Sequence, residues 1–280
     1  MKQGEKQDQF IVVYVHDLDN ISLSRDYAVF FSRMLNKGII LLHISDTKYT
    51  AVSPDEAEIK LKSLIKLFPE EQKVSYAALK GNSGKLLSAL PNMFGAVLII
   101  TEVRNNNKTR SCSPKSLLRN LYASRIAYLT VQQPMQQEGN PLGIVLLTLD
   151  SLRESKEKVL WATYFGRFHQ SQTLLVTENS NDSYLKQQIE YNVAFTSKIF
   201  GNFNLPIKRL SFPKQKGNID VLAPVIAKQY HAGIVICQTT KNRNLAHRLF
   251  GSAEEKVIVN AEHIPILFLN PRSDLYVLCE

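Results

Sequence analysis

GIVICQ at residues 233–238 matches GAVLII at residues 95–100, a glycine leading a short apolar run in each, 233 − 95 = 138 residues apart. The relation extends outward from this pair. Ala127 and Pro265, each inside the last apolar run of its half, are again 138 apart, and Gly81-Asn82 and Gly217-Asn218 are 136 apart. Self-similarity held over such a distance reports a duplicated architecture. At 280 residues the chain exceeds the usual size of one domain, and 44% hydrophobic with 21% charged residues suffices for two packed cores.

Each half carries five apolar runs in one order. In the first they are IVVYV (11–15), GIILLHI (38–44), VSYAAL (74–79), AVLIIT (96–101) and IAYLTV (126–131). In the second they are GIVLLTL (143–149), QTLLVT (172–177), PIKRLSF (206–212), GIVICQ (233–238) and IPILFL (264–269). Runs of this length, separated by segments of helical periodicity, predict βαβ units around a parallel sheet. Residues 24–36 place Tyr27, Phe30, Phe31 and Leu35 at helical intervals, and residues 154–168 do so with Val159, Leu160, Tyr164, Phe165 and Phe168. Both sets are expected to pack as core against the sheet. The expected fold is α/β: two tandem three-layer domains, each a five-stranded parallel sheet with helices on both faces. The boundaries are 1–134 for the first domain, a polar Gly- and Pro-containing linker at 135–142, and 143–280 for the second with a C-terminal tail. In that tail, DLYVL could add an edge strand or lie across the other domain.

Several function classes are weighed and set aside. No apolar stretch has the length of a membrane span or the layout of a signal peptide, so a cytoplasmic protein with no membrane partner is expected. Cys112, Cys237 and Cys279 are far apart and lack metal-binding spacing, which favours reduced thiols. A net charge of +9 raises nucleic acid as a partner, but the cations are scattered among carboxylates, with no basic run interleaved with aromatics, so none is expected. His16, Asp17 and Asp19 could suggest a metal; a turn leading into a helix capped at Ser22 or Ser24 accounts for them better, and no metal site is assigned. His43, within an apolar run, reads as a packed histidine. GxSxG, GxxxxGK[ST] and GxGxxG are all missing, so no catalytic residue is assigned.

Residues 251–269, GSAEEKVIVNAEHIPILFL, open a helix with Gly-Ser and lead through a polar turn and a proline into the last apolar run. This resembles the C-terminal signature of universal stress protein domains. The run 144–149 closing on Asp150 resembles that family's first strand, and LLHI (41–44) its second. The resemblance recurs in each half, so the chain looks like a tandem member. It implies that the halves pack as a pseudo-dimer through their last strands, and that each half has a crevice at the carboxyl ends of its strands, where open parallel sheets bind ligands.

In ATP-binding members a loop Gly-x2-Gly-x9-Gly-Ser/Thr cradles phosphates with backbone N–H groups at a helix start. In the second half Gly251 and Ser252 match its last two positions, whereas Gln238 and Lys241 stand where the two earlier glycines would be. Asp150 occupies the place of the family's nucleoside-contacting aspartate. Lys241, Arg243, His247 and Arg248 could grip phosphate in place of the lost N–H groups, or could equally belong to a solvated loop. In the first half Ser113 and Pro114 replace the Gly-Ser pair, Ile100 and Val103 the earlier glycines, and His16 or Asp17 the aspartate. The resemblance thus implies a cytoplasmic stress-response binding protein, non-catalytic, with at most one degenerate ATP or ADP site, formed by Asp150, Gln238, Lys241, Gly251 and Ser252. A protein partner or a homodimer is compatible with it. The alternatives are a slow ATP-hydrolysing or adenylating enzyme of the same fold and an interaction module without a ligand.

Overall fold

The computed structural model describes residues 8–46, 52–103, 114, 117, 118, 126–136, 138–152, 155–213, 219–239 and 253–270. The chain divides into two compact units, Met1–Met135 and Gln136–Glu280.

The first unit contains β1 (Phe10–Tyr14), α1 (Ser22–Leu35), β2 (Gly38–Ser45), α2 (Pro54–Ile65), β3 (Val74–Lys80), α3 (Ser83–Phe94), β4 (Ala96–Glu102) and β5 (Ala127–Val131). Its strands run parallel in the order β3-β2-β1-β4-β5. The second unit contains β6 (Ile144–Leu149), α4 (Lys156–His169), β7 (Gln172–Asn179), α5 (Ser183–Asn202), β8 (Ile207–Pro213), α6 (Ile219–Gln229), β9 (Ile234–Gln238), α7 (Ala253–Ile258) and β10 (Ile266–Leu269). Its strands, also parallel, follow the same order, β10-β9-β6-β7-β8. All ten expected strands are present. In each unit the first strand lies between the second and the fourth, so strand order reverses there and a crevice opens at the carboxyl ends.

Composition explains the layering. Seven of the eight residues of β2, and five of the six of β6, are buried, as continuous apolar runs require when helices cover both faces. Edge strand β8 instead alternates, and its Arg209 forms a two-pronged ion pair with Glu190 of α5 at 2.6 and 2.8 Å. Three helix starts are set by side chains. Ser53 accepts from the Glu56 N–H with Pro54 in the first turn, Asn82 accepts from Lys85, and Asp182 from Leu185.

Three expectations need correction. Neither Ser22 nor Ser24 caps α1: Ile21 stands at the cap position without a side-chain bond, while the Asn20 carboxamide accepts from the Ser22 N–H. In α4, Val159 and Phe165 are buried and Tyr164 half-buried, but Leu160 and Phe168 are 46% and 52% exposed. They lie eight residues apart, on a stripe facing away from the sheet, since the buried face follows Val159, Ala162, Phe165 and Gly166. Third, the repeat interval is not uniform. The starts of β1 and β6 are 144 − 10 = 134 apart and those of β3 and β8 207 − 74 = 133, against 138 for Gly95 and Gly233. The second unit therefore has five more residues between its third strand and the glycine that opens its fourth.

That glycine is needed in both units. A side chain at Gly95, whose φ is +60°, would come within 2.3 Å of the Asp8 carbonyl oxygen. One at Gly233 would come within 1.6 Å of the Pro141 carbonyl oxygen.

Candidate functional site

In the second unit the β6–β9 register ends at the pair Leu147 and Ile236. Beyond it stand Thr148, Leu149 and Asp150 on one strand and Cys237, Gln238 and Thr239 on the other, at the rim of the crevice. Two predicted site residues, Asp150 and Gln238, thus lie at the carboxyl ends of adjacent strands. One Asp150 carboxylate oxygen accepts from the Leu152 N–H at 2.8 Å and the Ser155 hydroxyl at 2.5 Å. Asn192 of α5 donates to the Asp150 and Leu152 carbonyls, both at 2.9 Å. Asp150 is therefore held in a fixed turn, half-buried at the mouth. Gln238 is 7% exposed, and its carboxamide oxygen has no hydrogen-bond partner among the described residues. An orphaned buried acceptor is costly, which makes it a position for an incoming donor.

Lys241, Gly251 and Ser252, with Arg243, His247 and Arg248, lie outside the described residues, as do Cys112, Ser113 and Cys279. Immediately after Ser252, the first turn of α7 carries Glu254, 7% exposed, and Glu255. Carboxylates complement the positive end of a helix, so this helix start already has its counter-charge and would repel a phosphate.

Beneath the rim lies a polar cluster that sequence reading missed. Lys158 of α4 is 1% exposed and donates to the Thr148 hydroxyl at 3.3 Å; Thr148 in turn donates to the Ile236 carbonyl at 3.3 Å. Asp220 of α6 is 7% exposed. Its burial pushes its pKa up, while the Lys158 charge and the Thr148 hydroxyl pull it down and the Asp150 and Glu254 charges add to the rise. Burial, with the Asp220 charge next, likewise raises the Cys237 thiol well above its usual range. Among the described residues Lys158 is thus the one buried cation that acts on Asp220, against the added charges of Asp150 and Glu254, so the cluster beneath the crevice is only partly compensated. Its signal in the sequence was positional: Lys158 falls on the buried stripe with Ala162 and Phe165, and Asp220 falls on that of α6 with Ala223 and Ala227.

The first unit presents the same geography with other chemistry. The left-handed helix ends at Asn36 and Gln170 are 170 − 36 = 134 apart, matching the β1–β2 and β6–β7 registers (Phe10 with Gly38, Ile144 with Gln172). By this interval His16, not Asp17, stands at the place of Asp150, and Ser24 at that of Lys158. His16 bonds the Thr101 hydroxyl at 3.0 Å, and Ser24, 1% exposed, donates to Glu102 at 2.9 Å. Ile100 and Glu102 are buried in or at the end of β4, Val103 comes next and is buried too, and Pro114 is helical. Asp17 makes a local turn by accepting from the Asp19 N–H at 2.9 Å. His43 is buried, its Nδ1 paired with the Val15 carbonyl at 2.8 Å, as expected of a packed histidine. No group of three or more His, Cys, Asp or Glu suited to a metal occurs among the described residues, and no helix among them is long and apolar enough to cross a membrane.

Comparison of the whole fold finds solved structures that span almost the entire chain, among them the following two. A universal stress protein from Archaeoglobus fulgidus DSM 4304 superposes with a TM-score of 0.68 at 12% identity, covering 96% of this chain and 98% of that one. A functionally unknown protein from Pseudomonas aeruginosa PAO1 gives 0.61 at 15% identity, covering 98% and 96%. The fold is thus a tandem universal stress protein fold. No protein-family model and no curated protein matches the sequence.

Proposed function

We propose that this chain is a non-catalytic stress-response binding protein of the cytoplasm, with one weakened ATP or ADP site in its C-terminal half. The observation that carries this reading is the position of Asp150 and Gln238 at the carboxyl ends of the adjacent strands β6 and β9, with the Gln238 carboxamide oxygen buried and unbonded among the described residues. A carboxylate held at the mouth suits ribose hydroxyls, and an orphaned acceptor suits an amino or hydroxyl donor. Lys241, Gly251 and Ser252 would contribute the phosphate contacts. Those contacts are weak in this reading, because two of the four loop positions lack glycine and Glu254 and Glu255 oppose the phosphate. The same weakness speaks against ATP turnover, which requires a firm grip on the transferred phosphoryl group.

Isothermal titration with ATP and with ADP, with and without Mg²⁺, tests the proposal. The expected outcome is saturable binding in the range of about 10–100 μM. Asp150→Ala should weaken it about tenfold, equivalent to about 1.4 kcal/mol. Ser252→Ala and Lys241→Glu should weaken ATP more than adenosine. Absence of heat at millimolar nucleotide, or affinity indifferent to all three substitutions, overturns the assignment.

A further inference from the structure

We propose that the outward face of α4 and α5 docks an acidic, amphipathic segment of another protein. Along α4, Lys156, Leu160, Tyr164 and Phe168 recur at four-residue steps on the side away from the sheet. Along α5, Tyr184, Tyr191 and Lys198 recur at seven. Leu160, Phe168, Tyr184 and Tyr191 are 46%, 52%, 66% and 62% exposed, and Phe203 just past α5 is 45% exposed. Single exposed apolar side chains are ordinary, but two adjacent stripes of them are not.

The rings are bound to one another and to cations across the two helices. Trp161 meets Tyr164 edge-on with centroids 5.8 Å apart, and Tyr164 lies 6.0 Å from Phe168. The Lys156 ammonium sits 4.3 Å from the Tyr191 ring centre and 5.0 Å from that of Phe195. The Arg167 guanidinium lies 4.5 Å from Phe203 and 5.2 Å from Phe168. These contacts hold large, stiff side chains in place before any partner arrives, which lowers the entropic cost of association. Aromatic residues and arginine are also the types that dominate binding energy at protein interfaces.

The duplication supplies an internal control. The matching helices of the first unit, α1 and α2, carry ion pairs on their outer surfaces: Arg25 with Asp26, Arg33 with Glu71, Lys60 with Asp19 and Lys62 with Glu58. Among the described residues of these two helices Ile59 is the one large exposed apolar side chain, with Leu67 just past α2, and neither is aromatic. One fold builds this face both ways, so the aromatic surface is not a folding requirement.

Charge selects the occupant. Lys156, Arg167 and Lys198 belong to the patch, while Glu190 of α5 is taken up by Arg209 and Glu157 is half-buried in the first turn of α4. The patch therefore favours an anionic partner, and a symmetric contact with a second copy would set these cations against one another. Two neighbouring helices present a shallow groove suited to an amphipathic helix that lays leucine or aromatic side chains on the rings and directs carboxylates to the cationic rim.

Trp161 is the only tryptophan in the chain and sits on the patch, so its emission reports occupancy directly. The probe is a synthetic peptide of about 15 residues, roughly four helical turns, with Leu and Phe on one face and Glu on the other. Saturable change in Trp161 emission is expected, with affinity falling at least about tenfold in Arg167→Glu and in Tyr191→Ala and falling also as salt is raised. Arg33→Glu, on the matching face of the first unit, should leave it unchanged. Circular dichroism verifies folding of the variants, and Arg167→Glu decides alone should Tyr191→Ala misfold. The proposal is overturned if no saturable change occurs, if a Lys-for-Glu peptide binds equally well, or if the patch substitutions have no effect. Saturation by oligodeoxythymidine in place of the peptide would overturn it in favour of nucleic acid. Concentration-dependent self-association abolished by the same substitutions, with no peptide binding, would overturn it in favour of a homodimer.

Discussion

At the scale of single residues the molecule's cost is concentrated in a few buried polar groups. His43 is 4% exposed, its Nε2 has no partner among the described residues, and burial holds its pKa below the ordinary value of 6.5. The folded chain therefore takes up this proton less readily than the unfolded chain. The stability that neutral His43 contributes is complete above the ordinary imidazole value and is lost as pH falls through the lowered one. The denaturation midpoint should accordingly fall as pH drops below the ordinary imidazole value. His43→Gln should flatten that slope, as thermal melts across that range will reveal. Asp220 works in the opposite sense. Its raised pKa means that its contribution is greatest below the ordinary aspartate range and is lost as pH rises through the raised value. Lys158 moderates that loss. Removing it by Lys158→Met should cost about 3 kcal/mol because carboxylates are left buried without their cation, and adding Asp220→Asn should restore much of the loss. Urea denaturation of the two single variants and the double variant measures the coupling.

At the scale of elements, two glycines at matched positions carry the same burden. Gly233→Ala should destabilise by about 3 kcal/mol or more, because the new methyl group would meet a backbone carbonyl that cannot rotate away. Gly139→Ala makes the contrast: φ there is +70° but nothing lies within 4 Å of the new atom, so only the left-handed conformation is penalised, at about 1 kcal/mol. Chemical denaturation separates the two. Elements are also where the sequence was most legible. Buried parallel strands must be continuous apolar runs, so eight of the strands stood out, the edge strands β3 and β8 were placed by their position between helical segments, and the glycines marked the backbone crossings. What sequence could not reveal depended on which side of a helix meets the sheet. Leu160 and Phe168 have the apolar character of core and yet face outward, and Lys158 has that of a surface residue and yet faces inward. Helical period alone fixes the spacing of a stripe and leaves its direction open. The polar cluster was hidden for a further reason: Thr148, Lys158 and Asp220 come from three separate elements and meet only after the sheet has formed. The five-residue excess was hidden because the glycine pairs used to set the repeat all lie at or beyond the step.

At the scale of the whole molecule, duplication has left two copies of one frame carrying different chemistry. In the first unit His16 stands in place of the Asp150 carboxylate and Pro114 has no backbone N–H to donate, so titration should saturate at one nucleotide per chain. Two per chain would mean that the first crevice binds by contacts other than those traced in the second. The two faces of α4 divide the labour: its inner side holds Lys158 beneath the crevice while its outer side carries the aromatic rings, so one helix stands between the two proposed sites. The unequal spacing after the third strand bears on how this chain can be handled. There the two halves already differ in length while the strand order on either side is the same, so that connection is the natural point at which to splice in a tag or open new termini. Lengthening a connection costs little in chain entropy, and the two units keep one strand order with either length.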